Sequence, residues 1–258
     1  MRRLPIPIAL AAVTLLAAGA AYGELAQSGK LRLAFDGGIS PQALPRDRLA
    51  PITARIEGSF GMVDGSRPPQ ARSISIAINR NGRLFFGGLP TCDVAALQQT
   101  STEAALSLCR DALVGHGRFA AKVDFPGLAP IPTQGRVLAF NGRAGGRPAI
   151  LLHIYGTSPV RLTFVLPFRI SHPQRGDFGT VLSARIPKIA SDLGYVTEIE
   201  LTIGRRYRYA GRPRSFLSAS CAAPPGFPGA IFDFARGSFS FSNGQRLTTT
   251  LVRNCRVR

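Results

Sequence analysis

From about residue 30 onward, apolar residues recur at every second position, the period of a half-buried β-strand. Ile74, Ile76 and Ile78 alternate with small or polar residues. Val160, Leu162, Phe164, Leu166, Phe168 and Ile170 do the same over a longer stretch, and Tyr195, Ile199, Leu201 and Ile203 repeat it with Glu198 and Glu200 on the opposite parity. Three Asn-Gly dipeptides, Asn81-Gly82, Asn141-Gly142 and Asn243-Gly244, each fall between two such runs. Asn-Gly readily supplies the positive φ angles of a tight turn, so the spacing predicts three hairpins. Near the C-terminus Phe232 and Phe234 share one parity and Phe239 and Phe241 the other. A bulge at Arg236-Gly237 would turn both pairs to the core, with Leu247, Thr249 and Leu251 on the returning strand.

One segment breaks the rhythm. Residues 93–113 are rich in Ala, Leu and Gln, and Thr100 with Glu103 has the spacing of a capping box. Leu106, Cys109 and Leu113 then share a helical face. A further single helical turn is expected at Pro187 to Leu193. About ten or more short strands with one helical insert predict a mainly β fold. It is either an antiparallel β-sandwich or a curved, barrel-like sheet, with a short disulfide-closed helical insert. No linker, repeat or composition break divides residues 24–258, which read as one all-β domain.

The first 23 residues read differently. Arg2 and Arg3 precede an uncharged run from Leu4 to Gly23, with Ala21 and Gly23 at the small-residue positions of a cleavage point before Glu24. The segment is expected to be a signal peptide; an uncleaved anchor is the alternative. Either way the protein is expected to be secreted or held at the cell-envelope exterior. Cys92, Cys109, Cys221 and Cys255 all follow it. Four cysteines in an exported chain read as two disulfides with three possible pairings. The pairings local in sequence, Cys92–Cys109 and Cys221–Cys255, are favoured, and neither spacing is that of a zinc site.

Candidate chemistry is sparse. The 258 residues carry 32 basic and 14 acidic side chains, a net charge of +18, with no Trp and only three histidines. No G-x-S-x-G is present, and His116, His153 and His172 have no ligand spacing, so no metal, cofactor or catalytic residue is assigned. Glu198 and Glu200 are expected to face solvent, which argues against a glycosidase pair. The most uneven feature is a basic stretch, Arg205-Arg206-Tyr207-Arg208-Tyr209 followed by Arg212 and Arg214. Arginine forks bind phosphate and carboxylate, and tyrosine faces can stack on a ring or a guanidinium. In an exported protein such a stretch suits an anionic envelope polymer or lipid headgroups better than nucleic acid. With 29 arginines against three lysines, generic surface charge is the competing explanation.

The stretches Leu138–Gly142, Ile150–Gly156, Leu166–Phe168 and Ser215–Phe227, together with the four cysteines, are similar to a group of uncharacterised exported bacterial proteins. The resemblance implies bacterial origin and export, and no activity. Three functions therefore stand in order. The first is a non-enzymatic binding or envelope-associated module using the Arg-rich face. The second is a carrier of an apolar, lipid-like small molecule inside a curved sheet, and the third is a secreted hydrolase.

Overall fold

The computed structural model describes residues 23–188 and 192–258. The expected signal peptide lies, apart from Gly23, outside the described residues. So does the middle of the turn expected at Pro187 to Leu193. The chain opens with β1 (Glu24–Ser28), β2 (Leu31–Ser40), the short β3 (Ala43–Leu44) and β4 (Ala50–Pro51), and β5 (Thr53–Met62). β6 (Ala71–Asn79), β7 (Gly82–Leu84) and β8 (Cys92–Asp93) lead to helices α1 (Val94–Leu97) and α2 (Thr102–Cys109). Long strands follow: β9 (Leu113–Val123), β10 (Ile131–Ala144), β11 (Arg147–Gly156), β12 (Leu162–Ser171), β13 (Phe178–Arg185) and β14 (Gly194–Ile203). The chain closes with β15 (Arg206–Tyr209), β16 (Arg212–Ser215), β17 (Leu217–Ala219), β18 (Gly229–Phe241) and β19 (Arg246–Val257).

Fourteen strands form one sheet in the order β1-β2-β5-β14-β9-β10-β11-β12-β13-β6-β18-β19-β3, with β8 beside β10. Apart from the short parallel pairs β3–β19 and β8–β10, every pairing is antiparallel. The sheet curls into a half-barrel, which decides between the two expected architectures. Its opposite walls meet through aromatic edges: Phe239 of β18 lies 6.0 Å from Phe35 and 5.3 Å from Phe60, and Phe241 lies 5.9 Å from Phe60. Among the described residues no backbone ladder closes the seam. Side chains bridge it instead: Gln245 donates to the Ser28 carbonyl (2.9 Å), and Arg253 donates to the Gly37 carbonyl (2.6 Å) and pairs with Asp36. The small sheet β4-β17-β7 covers one end of the half-barrel.

The two favoured disulfides are present. Cys92–Cys109 closes the helical insert, and Cys221–Cys255 ties the loop after β17 to β19. Details of the sequence reading change. The long strand starts at Leu162, leaving Val160 in an exposed loop. In β14 a bulge between Val196 and Glu198 puts Val196 opposite Ala121 and Tyr195 opposite Lys122, so Val196, not Tyr195, shares the face of Ile199. The C-terminal bulge falls at Asp233/Ala235 rather than Arg236-Gly237, and it still brings Phe234 and Phe239 to one core. Ser101, not Thr100, caps α2, accepting from the Ala104 N–H.

Of the three Asn-Gly dipeptides only Asn243-Gly244 turns a hairpin, between β18 and β19. Asn81-Gly82 instead carries the chain from the large sheet into β7 of the small one. Asn141-Gly142 lies within β10, whose turn is Gly145-Gly146, both at positive φ. Here the two residues serve packing. Asn141 is buried and donates to the Pro90 carbonyl at 2.9 Å. A Cβ on Gly142 would stand 2.6 Å from the Cys92 carbonyl oxygen, so glycine admits β8.

Candidate functional site

Strands β10 and β11 are buried on both faces. Val137, Ala139, Ile150 and Leu152 point into the half-barrel, while Leu138, Phe140, Ala149 and Leu151 point outward under the helical insert. The inner face does not fill its space. Towards the end where β9 finishes and β14 begins, a cavity of about 130 Å³ is walled by Phe60, Phe119, Ile154, Phe164, Ile199 and Phe241. A second of about 90 Å³ shares Ile74 and Ile199 with it and reaches Phe35, Ile150, Phe168 and Phe239. A third of about 40 Å³ shares Ile56 with the second and ends beneath the small sheet at Leu217 and Ala219. The three line up along the strands as an apolar trough. An engineered cavity of about 150 Å³ lined by Leu, Ile and Phe stays dry and binds benzene, so the first chamber alone matches the size of a small apolar ligand.

Polar atoms in the trough are few. The Gln70 amide is occupied by the Asp192 and Gly194 carbonyls (3.0 and 2.5 Å). Lys122 and Ser158 stand at the rim, and Thr133 borders the cavity with a buried hydroxyl that has no hydrogen-bond partner. The rim is apolar as well. Val160 lines it, and Leu128 belongs to the turn begun by the lining residue Phe125; they are 62% and 64% exposed.

The basic stretch lies at the other end of the half-barrel, where β14 runs out. It forms the separate hairpin β15–β16, pairing Tyr207 with Arg214 and Tyr209 with Arg212. Those four residues share one face, and three of them, Tyr207, Tyr209 and Arg214, lean on the 85–88 loop. Tyr207 donates to the Gly87 carbonyl (2.8 Å), Arg214 stacks over Phe85 (5.2 Å), and the Tyr209 ring occupies the space a side chain on Gly88 would need. Arg206 and Arg208 alternate to the opposite, exposed face. Among the described residues neither forms an ion pair. Arg205 stands apart from the hairpin, its guanidinium donating to the Asp111 and Leu113 carbonyls (2.7 and 2.9 Å) just after the helical insert.

The histidines are dispersed. His116 is exposed on β9, and His172 sits in an open recess of about 310 Å³ with Arg80, Arg83 and Gln174 that no carboxylate lines. His153 is fully buried on the outer face of β11. Its Nε2 lies 3.1 Å from both the Thr100 hydroxyl and carbonyl, its Nδ1 has no partner, and burial pushes its pKa below the ordinary value. Glu198 and Glu200 face outward and pair with arginines. Glu200 takes Arg55 at 2.9 Å and Arg118 at 2.8 Å, and the Arg55 hydrogen bond lowers its pKa. Among the described residues no three His, Cys, Asp or Glu side chains gather as a metal site, and no helix is long and apolar enough to cross a membrane.

A carrier with an apolar interior was expected as the second function, but the trough's walls went unassigned in sequence because alternation tells which residues face inward, not how much space they leave. Thr133 did leave a trace: it shares its parity in β10 with Ile131, Val137 and Ala139, a hydroxyl in an inward apolar series. Fold and site together define a mainly β, disulfide-bonded protein whose curled sheet encloses an apolar trough. Two disulfides fit a non-reducing environment. Comparison with protein-family models, curated proteins and solved structures finds no match to this chain.

Proposed function

We propose that the protein is an exported, non-enzymatic binding protein that carries an apolar, lipid-like small molecule in the trough of its curled sheet. The supporting observation is the interior itself: three chambers of about 130, 90 and 40 Å³ with almost wholly apolar walls, where an ordinary core packs to crystal-like density. Apolar pockets with a few placed polar groups are the usual form of small-molecule sites. The test is native mass spectrometry of the secreted protein beside its denatured mass, followed by titration with a naphthalene dye that fluoresces in apolar surroundings. Extra mass lost on denaturation, or saturable dye fluorescence, is expected. A bare mass with no dye binding overturns the reading.

A second reading keeps the Arg-rich face. Arg206 and Arg208 are exposed and form no ion pair among the described residues, Arg208 donating to the Gly211 carbonyl (3.1 Å), which supports contact with an anionic envelope polymer or membrane surface. Such binding must weaken as salt rises, because exposed charges are screened over roughly 8–10 Å at physiological ionic strength. Salt-independent retention on a polyanion would remove this role.

A further inference from the structure

The carrier reading leaves open what kind of apolar molecule is carried, and Thr133 narrows it. It is the third residue of β10 and pairs with Ala121, so its side chain shares the inner face of β9 with Phe119 and Ala121. Its hydroxyl is buried and makes no hydrogen bond within the protein. A buried hydroxyl left unpaired costs about 1–3 kcal/mol, and native structures keep few of them. Valine would fill the same space without that cost.

The surroundings leave room for a partner. Beside the Thr133 hydroxyl lies Gly156, on which an added Cβ would stand 3.4 Å from its oxygen. A turn about the Thr133 Cα–Cβ bond moves the hydroxyl between staggered positions and so towards the chamber. Of the other polar side chains lining this chamber, Gln70 is occupied, Lys122 and Ser158 are on the rim, and Tyr195 has the outward parity of Lys122 and lies under Arg67. Deeper in, the second chamber offers only aliphatic and aromatic walls such as Ile150, Phe168 and Phe239. A ligand can therefore satisfy a polar atom near the mouth but not at depth.

Resting on the carrier reading, we propose that the ligand is a single-chain amphiphile whose chain joins its head through an oxygen-bearing linkage, an ester or an amide. Thr133 donates its hydroxyl hydrogen to the linkage carbonyl. The chain runs down the trough past Phe239, and the head stays at the rim beside Lys122.

The experiment uses the full secreted protein, with monolauroylglycerol and dodecane competing separately against the naphthalene dye. In Thr133→Val the ester is expected to bind roughly three- to ten-fold more weakly, the range of one neutral hydrogen bond, while dodecane binds as well as before. Thr133→Ser, which keeps the hydroxyl, restores the ester. The unfolding midpoint of Thr133→Val should equal or exceed the parent's, since an orphan hydroxyl is removed. Equal weakening of ester and dodecane, or an unchanged ester, overturns the assignment of Thr133. Failure of the dye itself to bind the parent protein overturns the carrier reading, and the two failures are thereby told apart.

Discussion

The inner and outer faces of β10 and β11 are built from the same strands and end up differently. Outside, Leu138, Phe140 and Leu151 meet Leu97 and Ala105 of the insert, and the Cys92–Cys109 bridge clamps the layer shut. Inside, equally apolar residues face chambers. The difference lies in what comes to meet each face. A short insert can settle against a sheet until no space remains. The opposite wall of a curled sheet is held at a distance set by its strands, and there the rings of Phe35, Phe60 and Phe239 pack on one another, leaving a chamber between Phe35, Phe239 and Ile150. Apolar composition makes a face buried; the partner's freedom to approach makes it full.

The sharpest break in this comparison is Phe239→Ala. Removing the ring that touches both Phe35 and Phe60 should cost about 3–5 kcal/mol in denaturant unfolding, the usual range for a buried Phe truncation. It should also enlarge the second chamber, so dye binding per folded molecule should persist. A cost below about 1 kcal/mol would mean that the walls do not depend on that contact.

Next comes the double variant Cys92→Ala/Cys109→Ala. A bridge closing a loop of this length contributes about 3 kcal/mol on the chain-entropy account. The loss should fall on the outer layer, with faster amide exchange in α1 and α2 and little change at the trough. Equal loosening of both faces would show that the two layers are one cooperative unit.

His153 offers a gentler probe of the outer layer. Burial lowers its pKa below 6.5, so between its folded value and 6.5 the unfolded chain binds a proton that the folded one refuses. The stability it allows is therefore whole above about pH 6.5 and falls as pH drops through that window. His153→Phe should flatten this part of the profile. An unchanged profile would place the acid sensitivity elsewhere.

The smallest expected effect belongs to the hairpin. Arg206→Ala with Arg208→Ala should change stability by no more than about 0.5 kcal/mol each, since both are exposed and Arg208 donates to the Gly211 carbonyl of its own turn (3.1 Å) rather than to another element. Retention on a heparin column should nonetheless fall. Loss of stability instead would mean that these arginines hold the hairpin in place.

The strands, their antiparallel pairing and the helical insert were legible because period-two alternation and its interruption are local properties of the chain. Both disulfides were legible from the even cysteine count, the expected compartment and proximity in sequence. The turns were less so: Asn141-Gly142 has the composition of a hairpin turn, yet long-range packing against β8 fixed its conformation inside a strand. The basic stretch was visible, but its division was not. Arg205 faces the carbonyls at Asp111 and Leu113, residues some ninety positions away, which no local pattern could reveal. The inward Phe and aliphatic residues suggested a carrier, but the trough's place and lining were not legible for the same kind of reason, since a cavity belongs to pairs of walls rather than to any one strand.

The seam between β2 and β19 has a consequence for how the edges of such a large sheet are protected. A sheet of fourteen strands normally ends in two edges with unpaired backbone groups, and each can recruit a strand from a neighbouring molecule into a growing aggregate. Here the curl brings the edges together, and the Arg253 guanidinium, held by Asp36 and the Gly37 carbonyl, occupies the junction. A charged side chain at an edge also disfavours docking by a foreign strand. The same arginine that joins the molecule to itself thus also guards the edge at which a foreign strand would pair.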